Sequence, residues 1–248
     1  MGENEQLLAT IWGTAIRVVR GLMPYGAVRL VQRLRQNRVE YGTLIKPKNI
    51  NTRVYWNRKL AKVDGFWRDE PYIALAEHLP QDRSFTLLDI GCATGDGLEW
   101  LTGQFPRAAL SGIDFSSVGI AKAKAKQSSV MYSIMDVSRE RLQGDWDYIC
   151  LVEILEHLTD PYSVLDQAVS RARVAVFVSV PFKPNAPAGP HKCREHVWRF
   201  DKHAFDRYGG RVLLRDFLNE GKSPRVLFEV PGQAQSGHSP EESRGRNG

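Results

Sequence analysis

Two rhythms of apolar and polar positions alternate along this chain. Short apolar runs at 86–90, 109–114, about 130–134, 146–152 and 174–180 are separated by stretches that read as helices. Strands alternating with helices favour a parallel sheet covered on both faces. Ahead of the first run, Leu7, Leu8, Ile11, Trp12, Ala15, Ile16 and Val19 recur at helical spacing, and the pattern stops near Gly21 and Pro24. A second amphipathic helix is expected at about 27–39, a loop-rich stretch over 41–64, and a helix over 70–79 that leads into the first strand. Past the fifth run the pattern predicts a helix near 202–208 and two apolar segments, 212–218 and 225–230. The turn-rich sequence Asn219-Glu220-Gly221-Lys222-Ser223-Pro224 joins those segments as a hairpin would. Residues 232–248 carry Gly, Ser, Glu and Arg without large apolar side chains and read as a disordered tail.

Length and composition agree with one such sheet. A chain of 248 residues, 42% of them hydrophobic, is long enough to bury a single large core. The expected division is a basic helical extension at 1–65, the sheet domain at 66–231 and the tail. Cys92, Cys150 and Cys193 lie far apart with no paired spacing, which points to a reducing compartment and away from a zinc site. Glu3 and Glu5 stand where a secretory signal would carry positive charge, and the first apolar stretch is short and holds Arg17, so a cytoplasmic location is expected. The net charge of +6 conceals an asymmetry. Between Arg17 and Lys62 twelve Lys or Arg face Glu40 alone, which suits an anionic partner such as a membrane surface or nucleic acid. Peripheral attachment to a membrane is the corresponding expectation for location.

The chemistry begins at Asp89-Ile90-Gly91-Cys92-Ala93-Thr94-Gly95-Asp96-Gly97, where an apolar run ends in an acid and breaks into glycines. Glycine at that density marks positive φ or a close backbone approach. The spacing is neither the G-x-G-x-x-G of a dinucleotide turn nor a P-loop, which ends in Gly-Lys-Ser/Thr. It resembles motif I of the class I S-adenosylmethionine-dependent methyltransferases. That resemblance implies a Rossmann-like, doubly wound, mostly parallel seven-stranded sheet ending in an antiparallel hairpin, with S-adenosylmethionine as cofactor. It implies cofactor contacts from Asp89, Gly91, Cys92, Ala93, Thr94 and Gly95 in the first loop. Ligands in such sheets sit outside the carboxyl ends of the strands. Asp114 at the end of the second strand would therefore accept the ribose hydroxyls, and Phe115 would border the adenine. Asp136, followed by Val137, would receive the adenine amino group, although an acid in that place also suits a helix cap.

Glu153-Ile154-Leu155-Glu156-His157-Leu158-Thr159-Asp160-Pro161 resembles the fourth motif of methyltransferases acting on small molecules, the ubiquinone-pathway O-methyltransferases among them. The Asp/Asn-Pro-Pro-Tyr/Phe signature of enzymes that methylate amino groups of bases is absent there. Methyl transfer to a hydroxyl needs positioning and removal of a proton. His157, Glu153 and His196 are the candidate catalytic residues, with His157 as base and His196 in the wall beyond the fifth strand; His191 is expected at the surface, and Tyr55 or Trp56 in a lid. A second resemblance, of Glu153, Glu156, His157 and His196 to the divalent-ion set of small-RNA 3′-end 2′-O-methyltransferases, implies a metal-dependent alternative. Residues 22–30 resemble the leader of methyltransferases of surface-polysaccharide synthesis, which implies a sugar, nucleotide-sugar or lipid-linked glycan acceptor. A non-catalytic cofactor-binding scaffold is the remaining alternative.

Overall fold

A computed structural model describes residues 49–65, 69–126, 129–182, 188–190, 195–215 and 225–233. The two helices expected before residue 40, most of the basic segment, His191, Cys193, the turn expected at 219–224 and nearly all of the tail lie outside the described residues. The unit that holds the sheet begins at Asn49, earlier than the boundary at 66 expected from sequence.

The chain enters through α1 (Arg53–Ala61) and α2 (Asp69–Ala76), then alternates: β1 (Thr86–Ile90), α3 (Asp96–Gln104), β2 (Ala109–Asp114), α4 (Ser117–Lys126), β3 (Met131–Ile134) and β4 (Trp146–Val152). A single 3-10 turn at Leu155–His157 precedes α5 (Pro161–Val169) and β5 (Ala172–Pro181). Two short pairing segments follow, β6 (Gly189–Pro190) and β7 (Trp198–Arg199), and the chain closes with β8 (Arg211–Arg215) and β9 (Arg225–Pro231). The seven-stranded sheet has the order β3-β2-β1-β4-β5-β9-β8. Strands β1 to β5 pair in parallel, while β9 runs antiparallel to β5 and β8 antiparallel to β9. The order reverses between β1 and β4, and a doubly wound sheet opens its ligand crevice at that switch point.

Both faces of the sheet are covered, which is why the strands are apolar throughout rather than alternating. Leu87, Tyr148 and Phe177 pack on one side with Leu75, Leu98, Leu101 and Ile120 from α2, α3 and α4. Leu88, Ile149, Leu151 and Val178 face the other with Val164, Leu165 and Ala168 of α5 and with Phe200 and Phe205.

Two expectations are corrected. The stretch expected to be loop-rich contains α1, which buries only Leu60 and so leaves no apolar periodicity to read. The helix is set instead by its ends. Thr52 Oγ1 accepts from the Tyr55 amide at 3.2 Å, and Lys122 Nζ donates to the carbonyls of Leu60 and Ala61 at 2.9 and 3.3 Å. The helix expected near 202–208 is a run of turns with a 3-10 turn at Asp206–Tyr208, which Gly209 ends in a left-handed conformation at φ +67°. Boundaries of the other strands agree closely, save that 216–218 of the segment expected at 212–218 lie outside the described residues; β5 runs longer than expected, over Ala172–Pro181.

Gly97 shows how tightly the switch point is packed. A Cβ there would lie 2.2 Å from Cζ of the Tyr72 ring, whereas one on Gly103, in the same helix, meets nothing within 4 Å. Gly97→Ala is expected to lower stability by about 1–3 kcal/mol through overpacking. Gly103→Ala is expected to be neutral or to stabilise by about 0.5–1 kcal/mol. Thermal unfolding of the two variants checks the contrast; equal melting temperatures would contradict it.

Candidate active site

A cavity of about 360 Å³ opens at the carboxyl ends of β1, β2 and β4. Its first half is built by the glycine turn. Gly91 and Gly95 adopt φ +84° and +76°, and Ala93, with a side chain, is held at φ +49°. A Cβ on Gly91 would lie 2.6 Å from Ile154 Cδ1, so only glycine lets the backbone pass there. The turn is pinned from below, since the amides of Gly91 and Cys92 both donate to the carbonyl of Ile113, at 2.8 and 3.1 Å. Asp114 pins it from the side. Its Oδ2 accepts from the Ala93 amide at 3.0 Å and its Oδ1 from the Ser116 amide at 2.7 Å. Burial raises the Asp114 pKa against these two amides, which favour the carboxylate.

Of the residues expected to hold the cofactor, Gly91, Cys92, Ala93, Asp114, Phe115, Asp136 and Val137 line the cavity. Asp89, Thr94 and Gly95 lie behind the turn instead. Asp89 is fully buried and accepts from Tyr72 Oη at 2.7 Å and from Cys150 Sγ at 3.4 Å. Burial pushes its pKa up to about 6 while those two donors hold it down. Thr94 is buried with its hydroxyl on Asp96, and Gly95 is the left-handed residue that opens α3. Asp136 caps no helix, since turns follow it rather than a helix. It borders the cavity, accepts from the Ser138 amide at 3.2 Å and pairs with Arg139 at 3.5 Å. Cys92 and Cys150 are free buried thiols.

The second half of the cavity gathers Glu153, Glu156, His157 and His196. Glu153 ends β4 in a left-handed conformation, φ +53°, with its amide donating to the Ser179 carbonyl at 2.9 Å. Its carboxylate is engaged on both oxygens: Oε1 accepts from Ser179 Oγ at 3.0 Å and Oε2 from Arg225 Nε at 2.7 Å. Glu153 thus stands as the part-buried counter-ion of Arg225, with one protein donor on each carboxylate oxygen.

His157 is oriented by main chain. Its Nδ1 lies 3.0 Å from the carbonyl of Glu195, and since a carbonyl only accepts, Nδ1 carries the hydrogen and Nε2 the lone pair. Burial lowers the His157 pKa to about 4, helped by the His196 and Lys59 charges and opposed by that hydrogen bond, so the ring is neutral near neutral pH. The rings of Trp56 and His196 meet it edge-on at 5.1 and 5.0 Å. Among the described residues one group has a metal-ligating arrangement: ligand atoms of Glu156, His157 and His196 lie within 4.8 Å of one another. The fourth member expected from sequence, Glu153, is turned to Arg225.

Several contributors were not legible from sequence. Glu195 fixes His157 with its carbonyl, which also accepts from Asn51 Nδ2 at 2.6 Å, and its carboxylate pairs with Lys59 at 3.1 Å and accepts from Tyr55 Oη. Helix α1 is thereby tied to Glu195, and Trp56, which lines the cavity, lies against His157. Tyr72 and Arg225 carry little local signal; for Arg225 it is a charged residue opening an otherwise apolar strand.

Residues 65–243 match the family model described as a methyltransferase domain, and the chain belongs to that family. Its sheet is the class I S-adenosylmethionine-dependent methyltransferase fold. The chain is 34% identical over 86 residues to malonyl-[acyl-carrier protein] O-methyltransferase from Bacillus anthracis, a match covering 34% of this chain and 32% of that enzyme. It is 26% identical to trans-aconitate 2-methyltransferase from Escherichia coli over 168 residues, 66% of this chain and 67% of the other. Among solved structures, magnesium protoporphyrin IX methyltransferase from Synechocystis with bound S-adenosylmethionine is similar in fold. Its TM-score is 0.55 at 16% identity, covering 77% of this chain and 99% of that one. No helix among the described residues is long and apolar enough to cross a membrane.

Proposed function

We propose that the protein transfers the methyl group of S-adenosylmethionine to a hydroxyl oxygen of a small molecule or glycan, a sugar, nucleotide-sugar or lipid-linked sugar, with His157 as proton acceptor. The observation that carries this reading is the fixed His157 ring: Nδ1 is committed to the Glu195 carbonyl, Nε2 carries the lone pair 3.9 Å from Glu156 Oε1, and the residue lines the cavity that the glycine turn also lines. The glycine turn supports the cofactor. Its Gly91, Cys92 and Ala93 line the cavity, with Asp114 and Phe115 beside them. When bound, S-adenosylmethionine supplies an electrophilic methyl group on a sulfonium. The chain's part is to line up the acceptor, to exclude water with α1 and Trp56, and to take the acceptor proton on His157 Nε2. The name of the Bacillus anthracis relative specifies an oxygen acceptor, which agrees.

The test is incubation with methyl-labelled S-adenosylmethionine and acceptor pools of nucleotide sugars, sugars and short RNAs, followed by mass spectrometry. Glycan acceptors are offered free and on anionic vesicles, because the basic residues between Arg17 and Lys62 would draw the protein to such a surface. A label on a hydroxyl oxygen supports the reading. Label on nitrogen only, or none on any pool, contradicts it.

The metal-dependent RNA-end alternative is favoured by the grouping of Glu156, His157 and His196. It is weakened by the engagement of Glu153. Chelation of divalent ions is expected to leave methyl transfer unchanged; loss of transfer restored by Mg²⁺ or Mn²⁺ would favour the alternative.

A further inference from the structure

Arg225 is the first residue of β9, opposite Pro181 at the end of β5. This puts it at the carboxyl edge of the parallel strands, on the far side of β4 from the glycine turn. It lines the cavity although only 6% of it is exposed. A guanidinium has five N–H donors in a planar fork. Among the described residues its one hydrogen bond runs from Nε to Glu153 Oε2 at 2.7 Å. The four Nη hydrogens are left over, and neither Nη nitrogen is among the fully buried polar atoms without a partner, so the fork is open to the cavity it lines. Water can serve those donors, and a ligand with two acceptors in one plane can replace it.

The arrangement that holds the fork is itself strained. Glu153 keeps φ +53°, an uncommon conformation for a residue with a side chain, and both of its carboxylate oxygens are occupied by Ser179 and Arg225. Three elements, the ends of β4 and β5 and the start of β9, thus converge to fix one guanidinium. Glu153 neutralises the long-range field of the arginine, so what remains is directional: a planar donor edge that matches a planar carboxylate better than a neutral hydroxyl or amide.

We infer that Arg225 is the acceptor-recognition residue and that it binds a carboxylate group carried by the acceptor. The acceptor is then a hydroxy acid, a uronic acid or a similar molecule whose carboxylate sits on the Nη edge of Arg225 while its hydroxyl reaches His157. No bond is made or broken at Arg225, whose part is to orient. This rests on the methyltransferase reading and deepens it.

The test is calorimetric titration into the complex of the full chain with S-adenosylhomocysteine, which blocks turnover. The probes are glucuronate against glucose, malonate against malonamide, and inorganic phosphate. In the wild type at least one acid is expected to bind about tenfold or more tightly than its neutral counterpart, and more tightly than phosphate, as suits a charge-assisted bidentate contact. Arg225→Lys keeps the charge but not the fork, and is expected to lose most of that preference. Because Arg225→Gln alone would strand the Glu153 charge, the second variant is Glu153→Gln with Arg225→Gln, which is expected to abolish the preference. Unchanged affinity for S-adenosylhomocysteine shows that both variants are folded. Wild-type protein that binds S-adenosylhomocysteine yet prefers neither acid overturns the inference, as does phosphate binding more tightly than both acids or a preference that survives in the double variant. Failure of the wild type to bind S-adenosylhomocysteine is a separate result and removes the methyltransferase reading, and this inference with it.

Discussion

His157→Ala is expected to keep the affinity for S-adenosylhomocysteine and to lose turnover by about 10²-fold or more, the usual cost of removing a general base. The geometry leads there directly. Nδ1 is held by the Glu195 carbonyl at 3.0 Å, so the ring cannot turn away, and Nε2 is the atom presented for proton transfer. The pH dependence follows from the lowered pKa. The rate tracks the neutral fraction of His157, so turnover should stay level above the ordinary histidine range and fall as the pH drops through about 4. A limb near 6.5 instead would mean that the ring is more solvated in the working enzyme than the structure has it. A folded His157→Ala variant with normal turnover would remove the base assignment. Single-turnover rates and calorimetry on the same preparations separate chemistry from binding.

Asp114→Ala is expected to weaken S-adenosylhomocysteine binding by about 1–3 kcal/mol, roughly fivefold to 150-fold, as for the loss of hydrogen bonds to a charged group. Two effects act in the same direction. The proposed ribose contacts disappear, and so does the acceptor that holds the Ala93 amide, leaving a non-glycine residue at φ +49° without its anchor. Asp114→Asn retains one acceptor oxygen and should fall between wild type and Asp114→Ala. Unchanged affinity in both variants would contradict the assignment. Because Asp114 also holds the Ser116 amide, at the start of α4, a fall in melting temperature is expected alongside.

The strands were legible in the sequence because the sheet is buried on both faces. Leu87 and Leu88, or Ile149 and Leu151, serve opposite cores, so apolar residues run without the gaps that a half-exposed strand would show. Helix α1 was not legible for the converse reason. With Leu60 as its one buried residue, it depends on Lys122 at its end and on Asn57, whose Oδ1 accepts from Ser116 Oγ at 2.6 Å, and these partners lie about sixty residues away.

The same division runs through the site. The glycine turn and Asp114 are local, a sequence motif and a strand end, and both stand at the cavity. Asp89 shows the limit of such reading. The strand-end acid was expected to touch the cofactor, yet Tyr72 from α2 claims its carboxylate from behind. Glu153 and Arg225 show it again: they are 72 positions apart and only the topology joins them, so the sequence offers Glu153 as a candidate catalytic residue without showing its pairing with Arg225. His157 gains its tautomer from a carbonyl 38 residues on. Local pattern indicates which chemistry is present, whereas assignment of a role to each charged group depends on contacts between distant segments.

The central claim is that the cavity at the switch point is an S-adenosylmethionine site. Calorimetric titration of the full chain with S-adenosylmethionine, S-adenosylhomocysteine and NAD tests it most directly. One-to-one binding of the first two in the micromolar range or tighter, with none of NAD, is the predicted result. Preferential binding of NAD, or no binding of either sulfur compound, would contradict it.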